Sequence, residues 1–138
     1  MNMDLVAHIP VVFLGSEAAL AGRLRDCYAG IAWGAEYRLA PRFQAAAAKD
    51  WRSVLPATGP GMAFVQITDA GTEGESNLIR EIGSMNPGLQ IVLLADDDVD
   101  YFQIAADFRI GNVIKKNRFD TAVVHALTIR LLTGNIFG

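Results

Sequence analysis

Residues 62–67, Met62-Ala63-Phe64-Val65-Gln66-Ile67, form an apolar run of strand length interrupted by one amide. The run lacks polar alternation, so a strand formed here is buried on both faces, as in a parallel sheet. Leu78, Ile79, Ile82 and Met85 then recur at helical spacing and stop at the breaker Asn86-Pro87-Gly88. Gln90-Ile91-Val92-Leu93-Leu94-Ala95 is a second run of the first kind. Strand, helix and strand in this order make a βαβ unit, whose crossover is right-handed.

The same alternation extends in both directions. Ile9 to Leu14 reads as the first strand, Glu36 to Ala40 as a weaker second one, and Asn112 to Lys115 as the fifth. Ser16 is placed to cap a helix carrying Leu20, Leu24, Cys27, Tyr28 and Ile31, with Gly30 and Gly34 as its stop. Pro41 suits a first helical position, and Phe43, Ala47, Trp51 and Val54 share a face behind it. Pro56 to Gly61 punctuates the approach to the third strand. Tyr101, Ile104, Ala105 and Phe108 form a short fourth stripe. Asp120 caps a fifth, with Phe119 and Val124 as its staple and Leu127 and Leu131 continuing it to Gly134. Five such units predict one α/β domain, a flavodoxin-like (βα)5 with a five-stranded parallel doubly wound sheet in the order 2-1-3-4-5. Its core runs over about residues 9–132. Residues 133–138, with apolar Ile136 and Phe137 after the expected helix stop, read either as a tail packed back onto the domain or, the favoured alternative, as the start of a linker to a further domain.

Composition narrows the function. The 138 residues fit one domain, and 51% hydrophobic content suffices to cover both faces of a sheet. The net charge of -3 and the scattered Arg23, Arg25, Arg38 and Arg42 argue against direct nucleic-acid binding by this domain. No apolar run reaches the roughly 18 residues of a membrane helix, and Met1-Asn2-Met3-Asp4 lacks the pattern of a signal peptide. The single Cys27 lies in an apolar stripe, so a buried thiol in a reducing cytoplasm is expected.

In doubly wound sheets the functional crevice lies at the carboxyl ends of the strands. There the chain places Gly15 and Ser16 after strand one, Gln66 at the end of strand three, Ala95 at the end of strand four and Lys116 after strand five. The element order, the Leu78-Ile79-Arg80-Glu81-Ile82 pattern and Lys116 followed by Phe119-Asp120 together resemble the receiver domain of two-component response regulators. The resemblance spans about Ile9 to Leu132. It implies an acidic pair holding Mg²⁺ where this chain has Gly15 and Ser16, and an acceptor aspartate where it has Gln66. It also implies a hydroxyl side chain where it has Ala95, a lysine matched by Lys116 (Lys115 in a neighbouring register), and a proline where it has Asn117. A carboxylate can attack phosphorus and a neutral amide cannot usefully do so. Glycine and one hydroxyl are poor Mg²⁺ ligands. The joint loss implies a pseudo-receiver: receiver architecture without phosphoryl chemistry, no catalytic residue, no metal and no cofactor. A rival register would make Asp69 the acceptor, with the acidic pair still missing.

Other groups carry blander readings. Glu17 suits the macrodipole in a first helical turn, and Asp96, Asp97, Asp98 and Asp100 read as a solvated loop before helix four. His8 and His125 lack zinc spacing to each other or to Cys27. No dinucleotide fingerprint, P-loop or nucleophile elbow occurs. Regulation through a protein partner or a homodimer is therefore expected. By the resemblance, it would use the helix 4–strand 5–helix 5 face with Tyr101, Phe108, Arg109, Val113 and His125, some of which must be core. The rival expectation is a sensor holding a small anion or nucleotide in the crevice around Gly15, Gln66 and Lys116. A deep crevice would favour sensing and a filled one protein contact.

Overall fold

The computed structural model describes residues 7–31, 33, 39–67, 73–96 and 100–137. Strand β1 (Ala7–Leu14) leads to helix α1 (Ala18–Ala29) and strand β2 (Leu39–Ala46). A 3-10 turn (Ala48–Asp50) runs into the single-turn helix α2 (Trp51–Val54). Then come β3 (Gly61–Gln66), α3 (Glu73–Met85), β4 (Leu89–Ala95), α4 (Tyr101–Phe108), β5 (Val113–Lys115) and α5 (Thr121–Phe137). All strands pair in parallel in the order β2-β1-β3-β4-β5, the flavodoxin-like order expected from the sequence.

The continuous apolar runs form the sheet centre because both of their faces are covered. On one face Val11, Phe13, Met62, Phe64, Val92 and Leu94 pack against Leu20, Leu24 and Tyr28 of α1 and Val124 and Leu132 of α5. On the other, Val12, Leu14, Ala63, Val65, Ile91 and Leu93 meet Trp51, Ile79, Ile82, Ile104 and Phe108. Every residue of β3 from Gly61 to Val65 is buried, and Gln66 at its end is partly exposed. That is how the sheet delivers one polar side chain to its carboxyl edge.

The region after α1 differs from the sequence expectation. Residues 36–38 of the expected second strand lie outside the described residues, as does the expected stop at Gly34. Pro41 and Phe43, read as helical, instead belong to β2, in register with Ile9 and Val11. β2 is an edge strand, where proline is tolerated because its missing N–H need not face a neighbour. Its burial alternates, with Leu39 buried, Arg42 and Gln44 exposed, and Phe43 and Ala45 packed against the core. The expected second helix is reduced to Ala48–Val54. At the other end α5 continues through Gly134 to Phe137. A glycine weakens a helix interior by about 1 kcal/mol relative to alanine but does not by itself end the helix.

Two polar pins close the loops. The amide of buried Asn86 donates to the Pro56 and Gly59 carbonyls at 3.0 and 2.9 Å, and its oxygen accepts the Gly88 N–H at 3.0 Å. Tyr28 bonds Thr128 across the α1–α5 joint at 2.7 Å and stacks on Trp33 and Phe43. Burial pushes the Tyr28 hydroxyl well above its ordinary value of 10.0, the Thr128 bond lowers it, and neighbouring Cys27 raises it. Cys27 is a free, buried thiol, as its stripe suggested. Among the described residues no helix is long and apolar enough to cross a membrane.

Candidate functional site at the strand ends

The carboxyl ends of β1, β3, β4 and β5 bring Gly15, Ser16, Gln66, Ala95 and Lys116 to one crevice. The Gln66 side-chain oxygen accepts the backbone N–H of Ser16 at 3.1 Å and of Glu17 at 3.2 Å. Its amide nitrogen donates to Glu17 Oε1 at 2.9 Å. Helix α1 begins after Glu17, with Glu17 rather than Ser16 at the N-cap and no side chain of its own capping it. Gln66 thus reaches from β3 to satisfy donors that the start of a helix leaves open.

Lys116 completes the cluster. Its ammonium lies 2.6 Å from Glu17 Oε1 and 2.6 Å from Asp96 Oδ1. Asp96 first, and Glu17 second, hold the lysine well above its ordinary value of 10.5. The Lys116 backbone is fixed as well, its N–H donating to the Ala95 carbonyl at 2.8 Å. Arg23 of α1 donates to the carbonyls of Lys116 at 2.8 Å and Phe119 at 3.4 Å, with its guanidinium 4.5 Å above the Phe119 ring. The lysine loop is therefore fastened to α1 through contacts independent of the ammonium.

Gly15 is required by Gln66. A Cβ at Gly15 would lie 2.5 Å from Gln66 Oε1, 2.8 Å from Gln66 Cβ and 2.7 Å from the tip of Phe13. No side chain, acidic or otherwise, fits at Gly15 while Gln66 holds this rotamer. Ala95 is fully buried and contributes only its carbonyl. Among the described residues no group of three or more His, Cys, Asp or Glu side chains is arranged to hold a metal. A shallow cavity of about 300 Å³ lies beside the cluster, between the start of α1 and the end of β2, lined by Gly15, Glu17, Arg25 and Ala45 among others.

Sequence reasoning missed the partners of Lys116. By sequence Glu17 suits the macrodipole and Asp96 a solvated loop, yet both bind the lysine. The available signal was position: Asp96 directly follows the last residue of β4, one strand from Lys116. Asp69, Asp97 and Asp98 lie outside the described residues. Of the residues expected on the helix 4–strand 5–helix 5 face, two take the core positions that the sequence left open for some of them. Phe108 and Val113 are core, at 8% and 1% exposure. His125 is half-buried and meets the Trp33 ring edge-on, with centroids 5.2 Å apart. Arg109 is exposed at the end of α4, and the Tyr101 side chain lies outside the described residues. Phe102 of α4 is 82% exposed. The stripe 101, 104, 105, 108 already left position 102 off the buried face.

No family model matches the chain, and no curated protein matches it. Solved structures do. The response regulator RcsB from Salmonella typhimurium aligns with TM-score 0.68 and 15% identity over 92% of this chain, which spans 61% of that protein. The receiver domain of AraT from Geobacillus stearothermophilus gives 0.62 and 13%, covering 91% of this chain and 94% of that one. A CpaE protein of pilus assembly from Burkholderia thailandensis gives 0.66 and 13%, covering 91% and 98%. With β2-β1-β3-β4-β5 topology and a lysine at the end of β5, the chain has the fold of response-regulator receiver domains.

Proposed function

We propose that this chain is a pseudo-receiver: a regulatory module, cytoplasmic and part of a larger protein, that acts through protein contacts and accepts no phosphoryl group. The observation that carries this reading is the state of the crevice. An amide stands where a receiver needs a nucleophilic carboxylate, and its two ends are committed to Ser16 and Glu17. The lysine that would meet a phosphoryl group is already neutralised by Glu17 and Asp96. Gly15 offers no metal ligand and has no room for one. A crevice filled by the chain's own side chains supports protein contact over sensing of an anion at that place. Exposed Phe102 at the start of α4 is the kind of anchor that partner surfaces use.

The test is incubation with Mg²⁺ and acetyl phosphate followed by intact-mass measurement. The expected result is an unchanged mass. A stoichiometric phosphate adduct that disappears in Asp69→Asn would overturn the reading. For the contact surface, Phe102→Asp should weaken self-association of the chain, or capture of its partner, without lowering its melting temperature.

A further inference from the structure

A groove of about 640 Å³ runs between α3 and the end of α4, on the sheet face opposite α1 and α5. Ser76, Arg80 and Ser84 line it from α3. They are spaced four apart, so they form one stripe along the helix. Arg109 faces them from the end of α4, and buried Ile79 and Phe108 supply an apolar floor. The one acid in the lining, Asp107, accepts the amide of Gln103 one turn earlier at 2.8 Å. Two guanidiniums against this one carboxylate leave the lining positive, on a chain whose net charge is -3.

Arg109 has an unusual backbone. It caps α4 in the left-handed region, φ 56° and ψ 35°, and is the one non-glycine residue with positive φ among the described residues. Glycine is the unstrained choice at such a cap. A strained non-glycine residue that lines a groove is grounds for a functional hypothesis. Two guanidiniums and two hydroxyls make a donor-rich rim. It suits a phosphate, with its three acceptor oxygens, better than a carboxylate with two. The apolar floor suits a flat ring, and the volume lies within the roughly 300–1,000 Å³ of small-molecule sites.

We propose that the α3–α4 groove binds a nucleoside phosphate, with the phosphate held by Arg80, Arg109 and one of the two serines a turn either side of Arg80, Ser76 or Ser84, and the ring laid over Ile79 and Phe108. The site is separate from the strand-end crevice and does not depend on its chemistry. The experiment titrates ADP and GDP, with pyrophosphate and adenosine as comparisons, into the labelled chain and follows amide NMR shifts. At least one nucleotide should move signals of residues 76–84 and 107–111. Pyrophosphate and adenosine should each bind about tenfold more weakly or worse. Arg80→Gln and Arg109→Gln should each lose about tenfold in affinity, the scale of one charge-assisted contact. Arg109→Gly separates ligand contact from folding, because it relieves the left-handed strain: its melting temperature should hold or rise while affinity falls. Absence of shifts at millimolar nucleotide would overturn the proposal. So would shifts centred on Gly15, Gln66 and Lys116, affinity unchanged in Arg109→Gly, or pyrophosphate binding as tightly as either nucleotide.

Discussion

At the scale of single residues, Gly15 and Gln66 form a matched pair. A methyl group at Gly15 would strike the Gln66 side chain and the tip of Phe13. Gly15→Ala should therefore destabilise the fold by about 1–3 kcal/mol, the usual cost of overpacking. Combined with Gln66→Ala, which clears part of the space, the double variant should be more stable than the sum of the singles by about 1 kcal/mol. Denaturant melts of the four proteins check this, and strict additivity would mean the two side chains do not meet. Lys116 makes a separate pH prediction. Its folded pKa is raised above 10.5 by Asp96 and Glu17, so the folded state keeps that proton longer than the unfolded state. The stabilisation is complete below about pH 10.5 and is lost as pH rises past it. Lys116→Met should lower the melting temperature by a constant amount at neutral pH, and the deficit should shrink above that point. The composition of this crevice was legible in the sequence because strand ends can be counted from apolar runs. The pairing of Lys116 was not, because it depends on which rotamers converge across three loops.

At the scale of elements, the strands legible in sequence were those covered on both faces, β1, β3, β4 and β5. β2 was not, because its burial alternates rather than running apolar throughout: Leu39, Phe43 and Ala45 turn inward, but the intervening Pro41 and the following alanines equally suit the start of a helix. Pairing with β1 decided between them. The α3–β4 turn rests on Asn86. Asn86→Ala should cost about 1–3 kcal/mol, since it removes a buried group that ties Gly88 of this turn to Pro56 and Gly59 of the loop before β3. Asn86→Asp should cost a similar amount, because a carboxylate cannot donate to the Pro56 and Gly59 carbonyls. Thermal unfolding of both variants checks this, and a neutral Asn86→Asp would mean the donated bonds contribute nothing. The α1–α5 joint is alkali-sensitive. Tyr28 stays protonated in the fold above 10.0, where an unfolded tyrosine ionises, so stability falls as pH climbs through that value. Tyr28→Phe should be less stable than the parent at pH 8, having left the Thr128 hydroxyl without this partner. The gap should narrow by pH 11 in chemical denaturation.

At the scale of the whole molecule, the two core layers share the central strands β1, β3 and β4, so the sheet's carboxyl edge is joined to both. A receiver-type switch needs a bound group that draws a hydroxyl and a lysine toward it and so favours one of two surface states. Here Ala95 has no hydroxyl, and Lys116 is held in place by Glu17 and Asp96. Gln66→Asp alone should therefore restore no switching. With Mg²⁺ and acetyl phosphate present, its amide NMR spectrum should show no donor-dependent shifts spreading from β3 through α4 to β5. Such shifts would show that the lever survives.

The two rims of the sheet have a consequence for life in a crowded solution. An open strand edge is a template on which further chains can stack, and long flat apolar edges seed fibrils. Here one rim is β5, only three residues long. The other, β2, carries Pro41 and the exposed Arg42, whose guanidinium reaches back to His8 at 3.3 Å. Neither rim offers an incoming strand a long ladder of bare N–H and C=O groups free of proline and charge. For a sheet this rich in valine, leucine and phenylalanine, both rims disfavour sideways growth by strand addition.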